Sequence, residues 1–195
     1  LAETRTVLQG KTLDQKPLKE LLEIIGHKEA FEYVEKMAEE KNRLSEKLIR
    51  GVHARILVDK WEEKGNYREC MVTSPVFVRE ISKPEEISAR IGQLIKKHAE
   101  RRKKMHAIEA DVLFHMEFMK IYPFADGNGR TNRMVLNFLL MEEGYLPICV
   151  RKEDKERYLK AFQEYDLWEN EEPMVRLISE HMKEELECSL RAVNE

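Results

Sequence analysis

The chain has little of what punctuates or staples a small fold. Its 195 residues include only 8 glycines and 6 prolines, which argues against a disordered or fibrous protein. The three cysteines, Cys70, Cys149 and Cys188, are scattered and odd in number. They form no disulfide framework and no zinc spacing, so a reducing compartment, the cytoplasm, is expected. No apolar run is long enough to cross a bilayer, so no membrane role is expected. Leu1 is not an initiator methionine, so a start without a visible signal peptide leaves an upstream targeting segment open; the chain has no internal repeat and no low-complexity linker. Excess positive charge is also lacking. The net charge is −3, and the one basic run, Lys96-Lys97-His98-Ala99-Glu100-Arg101-Arg102-Lys103-Lys104, has no interleaved aromatic residues for base stacking. That excludes nucleic acid as the expected partner and makes the run a solvated helix end.

What is present is helical. Hydrophobic residues make up 42% and charged residues 36% of a length suited to one domain with a proper core. The periodicity predicts a short helix from Leu18 to Ile25 that Gly26 ends, and one long or two consecutive helices between Lys28 and about Trp61. Gly65-Asn66 breaks that pattern. Tyr67–Val72 and Val76–Val78 read as short strands joined around Thr73-Ser74-Pro75, a small β-hairpin. Helical patterns resume after Pro84 and recur from His106 to Ile121, Met134 to Met141, Lys152 to Tyr165 and Pro173 to Ala192. The expected architecture is a single all-α domain: N-terminal helices over 1–60, a hairpin over 65–80, a core over 86–145 and C-terminal helices over 150–192.

Between two nearly all-apolar helices lies Tyr122-Pro123-Phe124-Ala125-Asp126-Gly127-Asn128-Gly129-Arg130-Thr131-Asn132-Arg133. Gly127 and Gly129 can adopt angles that bare successive N–H groups. Asn128 to Arg133 would open the second helix, whose positive N-terminal end favours an anion. Arg130 and Arg133, three apart, share a helix face and could grip several phosphate oxygens, while Asp126 is placed to bind a divalent cation carried by those phosphates. The alternative is an ordinary Asn-Gly hairpin turn beside two surface arginines, but hairpins need alternating strands and both flanks here read as helix. His106 and His115, on the preceding helix, lack the spacing of a compact metal site and suit core packing.

The segment resembles the signature of the Fic family, H-P-F-x-[DE]-G-N-G-R-x-x-R, at every specified position except the first. His106-Ala107-Ile108-Glu109-Ala110, His115 and Phe118 resemble the helix before that signature, and Gly144-Tyr145-Leu146-Pro147 and Tyr158 resemble the stretch after it. The resemblance implies a Fic-like helical bundle that binds ATP with Mg²⁺ and transfers AMP to a Ser, Thr or Tyr hydroxyl of a target protein, releasing pyrophosphate. It implies phosphate contacts from Gly127, Asn128, Gly129, Arg130 and Arg133, a metal contact from Asp126, and Phe124 as a structural anchor. The hairpin resembles the Fic flap, which aligns a target segment by strand pairing. Tyr158 and Asp166 fall where the family often lines the adenine pocket. Many relatives form dimers, so a homodimer is a further expectation.

Two departures qualify that resemblance. The family's catalytic histidine is Tyr122 here, and a phenol with a pKa near 10 is a poor substitute for an imidazole near 6.5. Losing a general base typically costs about 10²- to 10⁴-fold in rate. Tyr122 fits either an engineered replacement or a natural member that binds nucleotide without turnover. The Fic-like transfer of phosphoryl, UMP or phosphocholine groups is a further alternative. The second departure is at the start. Leu1-Ala2-Glu3-Thr4 resembles the end of the run downstream of an inhibitory glutamate in many Fic proteins, so the chain reads as a fragment with that glutamate upstream. Ser189-Leu190-Arg191-Ala192-Val193-Asn194 lacks the glutamate of the C-terminal version.

Overall fold

The computed structural model describes residues 18–58, 60–74, 77 and 81–193. Among these, seven α-helices follow one another: α1 (Leu18–Glu39), α2 (Glu46–Ile56), α3 (Ile87–Arg101), α4 (Ala107–Ile121), α5 (Asn128–Glu142), α6 (Lys155–Trp168) and α7 (Glu172–Val193). Short 3₁₀ turns at Pro84–Glu86 and Lys152–Asp154 lead into α3 and α6.

The centre is the pair α4 and α5. Val112, Phe114, Met116 and Phe118 of α4 and Val135, Phe138, Leu139 and Leu140 of α5 are all fully buried, as their apolar circumference requires. Helices α1 and α2 cover α5, α3 covers α4, and α7 rests on α4 and α6. Local chemistry sets several ends. Ser45 caps α2 by accepting the Leu48 N–H, and His106 caps α4 by accepting the Ile108 N–H.

Three expectations need correction. Gly26 does not end a helix, because α1 runs through it to Glu39. Its glycine serves close approach instead: a Cβ there would lie 2.7 Å from the Arg55 carbonyl oxygen at the end of α2. The hairpin is absent from the described residues, none of which lies in a strand. The Arg68 N–H donates to the Pro123 oxygen at 3.0 Å instead of to a ladder partner, tying the segment to the central loop. Val76 and Val78 of the expected second strand lie outside the described residues. Nor is the basic run simply solvated. Lys97 and Arg101 grip Glu117 of α4, and Arg102 pairs with buried Asp111 and with Glu142 and Glu143 at the end of α5. No described helix is long and apolar enough to cross a membrane.

Candidate functional site

The loop between α4 and α5 is built backwards from its second helix. Gly127, at φ +74°, is the N-cap of α5. Asn128 in the first turn is almost fully buried, with its side chain turned onto the loop: Oδ1 accepts the Phe124 N–H at 2.9 Å and Nδ2 donates to the Phe124 oxygen at 2.7 Å. The Asn128 side chain, expected from the sequence to touch phosphate, is thus engaged with the loop backbone, and the N–H groups of the first turn have no intrahelical acceptors.

Phe124 is fully buried. Its ring lies 3.6 Å from that of His53, nearly parallel at 4°, with Tyr67 at 5.4 Å. Nothing in the sequence marks His53 as a site residue, yet both its ring nitrogens are engaged. Nδ1 accepts the Gly65 N–H at 3.0 Å, so Nε2 carries the proton and donates to the Asp126 carbonyl at 3.1 Å. Burial holds this imidazole down to about 4, against the opposing pull of Asp126, so it is a neutral strut at physiological pH.

Tyr122 caps α4 in the left-handed conformation, with φ 52° and ψ 61°. For an L-residue this costs about 1–2 kcal/mol. The backbone is held there from both sides. The Tyr122 N–H donates to the Phe118 oxygen at 3.1 Å, and its carbonyl accepts Arg68 Nε at 2.8 Å. Arg68, itself buried, also donates to the carbonyls of Cys70 and Ser82, so one guanidinium joins residue 122 to both roots of the intervening segment. Burial, then the charge of Asp126, pushes the Tyr122 phenol up, and hydrogen bonding to Asn128 only partly offsets this.

Beyond the loop the site is charged. Burial pushes the Asp126 carboxyl up, but Lys60, the Gly127 N–H and Arg130 outweigh it and hold the group below the usual carboxylate range. Lys60 Nζ stands 3.0 Å from Oδ2, and the Gly127 N–H donates to Oδ1 at 2.6 Å. Arg130 lies 3.5 Å from Asp126 and 3.4 Å from Glu23 of α1, a carboxylate that would compete with an anion for this guanidinium. Arg133, one turn on, makes no ion pair among the described residues. It lines three cavities: one of about 780 Å³ bounded by α1, α5 and the Pro147–Cys149 segment, one of about 240 Å³ bounded by Val150, Lys155, Tyr158 and Leu159, and a small one of about 50 Å³ beside His27 and Leu136. The largest is of the size that small-molecule ligands occupy, roughly 300–1,000 Å³.

A profile of the Fic/DOC family matches residues 43–140, which include α2 to the end of the signature loop and most of α5. The protein adenylyltransferase Fic of Drosophila ananassae is 31% identical over 202 residues, covering 100% of this chain and 39% of that protein. The chain belongs to the Fic/DOC family. It spans about two fifths of the length of the curated relatives it matches. Among solved structures, a Fic-domain-containing signaling protein from Bacteroides thetaiotaomicron superposes with a TM-score of 0.82 at 27% identity, over 93% of this chain and 76% of that one. Fic-1 from C. elegans gives 0.87 at 25% identity, over 99% and 58%.

In this Fic chain no described group of three or more His, Cys, Asp or Glu residues could hold a metal alone. Asp126 offers one carboxylate, and Mg²⁺ commonly uses one or two carboxylates together with waters and substrate phosphates. That carboxylate is held by the Lys60 ammonium. Its pair with Asp126 is partly exposed and so easily displaced, since such pairs are worth about 0–1 kcal/mol. Tyr158 and Asp166, expected near an adenine pocket, are both buried; Tyr158 borders the cavity of about 240 Å³ and Asp166 approaches Lys120 at 3.5 Å.

Proposed function

We propose that this chain is a nucleotide-binding scaffold for transfer of AMP from ATP to a Ser, Thr or Tyr hydroxyl of a target protein, with the transfer step impaired by Tyr122. The observation that carries the reading is the conjunction of Gly127, at the open end of α5, with Arg130 and Arg133 on its first turns. The adenylyltransferase activity named for its relatives agrees with it. In this reading the first-turn N–H groups, Gly129 and Arg130 hold the α- and β-phosphates and Arg133 holds the γ-phosphate. Asn128 acts through the Phe124 backbone. Phe124 fixes the loop so that its donors are aimed before substrate arrives.

Asp126 would hold Mg²⁺ once Lys60 moves aside, and that ion would neutralise phosphate charge. A hydroxyl oxygen of the target attacks the α-phosphorus, the new P–O bond forms as the bond to pyrophosphate breaks, and the hydroxyl proton must leave. Positioning and charge stabilisation lower most of the barrier. The proton has no good acceptor at residue 122, because the raised phenol is already protonated at neutral pH. That same observation favours a second reading, a module that binds nucleotide and a partner without turnover. The segment between Arg68 and Ser82, tethered at both roots to residue 122, is the natural place to present a target strand.

Calorimetry tests the phosphate site directly. With Mg²⁺ present, Arg133→Ala is expected to weaken ATP binding at least tenfold, as loss of a charge-assisted contact does. Equal affinity in the two proteins would refute the assignment.

A further inference from the structure

We propose that the cavity of about 240 Å³ beside Arg133 is a seat for a condensed phosphate, an anion of two or more linked phosphoryl groups. Arg133, Arg151, Lys152 and Lys155 all border it, and none of the described residues that line it is acidic. The chain as a whole carries a net charge of −3, so four cations around one small cavity depart from the general balance. A recess walled by one sign of charge concentrates ligands of the opposite sign.

The fold assembles this wall from separate parts. Arg133 lies in α5, and Asn137, four residues on and so on the same helix face, pins the segment that follows α5. Its Nδ2 donates to the Ile148 oxygen at 3.0 Å and its Oδ1 accepts the Ile148 N–H at 2.9 Å. The chain then passes through Arg151 and the 3₁₀ turn that begins at Lys152 into α6, which opens at Lys155. The positive end of α6 therefore lies at the cavity rim, and Asp154, the N-cap, makes no side-chain bond to its first turn.

The neighbouring carboxylates are engaged elsewhere or offset only one cation. Asp154 accepts Arg157 Nη1 at 2.9 Å and lies 3.5 Å from His181 Nε2. Glu184 pairs with Arg151 at 2.8 Å. Among the described residues no carboxylate pairs with Arg133, Lys152 or Lys155, which leaves three positive charges uncompensated. A single phosphate group brings a charge of only about −2, so linked phosphates match this wall better than one alone. Two sources supply such an anion: free pyrophosphate, and the far end of a nucleotide with more than three phosphates. The second source rests on Arg133 being the ligand of the third phosphate of ATP.

The test is calorimetric titration with inorganic pyrophosphate, ATP and adenosine 5′-tetraphosphate at one fixed Mg²⁺ concentration. The proteins are the unmodified chain, Lys155→Ala, the Lys152→Ala/Lys155→Ala double variant and Lys160→Ala. All three lysines are exposed, so none of the changes opens the core. The double variant is expected to weaken pyrophosphate binding at least tenfold, the scale of lost charge-assisted contacts, with Lys155→Ala between it and the unmodified chain. Lys160→Ala removes one charge from the same helix but borders a different cavity, and should change affinity less than about twofold. Lysine-dependent pyrophosphate binding identifies the free anion as the occupant. A tetraphosphate that binds more tightly than ATP, with the gain lost in the double variant, identifies the end of a nucleotide. ATP binding with neither lysine-dependent effect, or an equal loss in Lys160→Ala and Lys155→Ala, would overturn this seat alone. Lysine-dependent pyrophosphate binding by a chain that binds no ATP would uphold the seat and overturn the nucleotide reading.

Discussion

Tyr122→His is expected to raise transfer of AMP onto protein hydroxyls at least tenfold, toward the roughly 10²- to 10⁴-fold that a general base supplies. The backbone at this position does not depend on the tyrosine ring. Its left-handed cap is held by the Phe118 carbonyl and by Arg68, both acting on main-chain atoms, so the replacement inherits the geometry. What changes is the chemistry. Burial and Asp126 push the phenol further from the neutral range in which a base must work, whereas an imidazole starts near 6.5. Tyr122→Phe supplies the control and should transfer no less than the unmodified chain. A tenfold loss on Tyr122→Phe would instead make the hydroxyl a participant, and no gain on Tyr122→His would show that base loss is not the defect.

Phe124→Ala should lower the free energy of unfolding by about 3–5 kcal/mol, the range for truncating a buried phenylalanine. The ring is fully buried, stacked on His53 and braced by Tyr67, and both ends of its peptide unit are clamped by Asn128. Removing it opens a cavity beneath the loop and takes away the ring on which His53 stacks, leaving His53 only its hydrogen bonds to the Gly65 N–H and the Asp126 carbonyl. Phe124→Leu, which fills most of the space, should cost less than about 1.5 kcal/mol. Urea denaturation of the three proteins measures both values. A loss below about 1 kcal/mol for Phe124→Ala would mean that the loop is held elsewhere, since large effects require a cavity of this kind.

The two central helices and the loop joining them are legible in the sequence because their information is local. Apolar residues all round α4 and on most of α5 can only be buried helix, and Gly127 to Arg133 sit at the start of α5 where spacing alone puts them. Gly26 misleads for the opposite reason: a glycine required by the approach of α2 has the same local signature as one that ends a helix. The supports of the site are not legible. His53 reaches Asp126 across 73 positions, Lys60 across 66, and Arg68 reaches Tyr122 across 54. A long-range contact of that sort leaves no periodicity or spacing in a single sequence. Over the described residues Tyr67–Val72 no strand forms, because Tyr67 packs on Phe124 and Arg68 is drawn inward to the central loop, contacts that no local pattern announces. The polar role of Asn128 is legible but its direction is not, because only the fold reveals that its amide faces Phe124.

The most direct test of the central claim is to follow the label when Tyr122→His is given ATP labelled either at the α- or at the γ-phosphate, with Mg²⁺ and a protein acceptor. Label from the α position retained on protein, with pyrophosphate released and no retention from the γ position, is the result predicted for an AMP-transferring scaffold. Retention of the γ label, or of neither label by a protein that binds ATP, would contradict it.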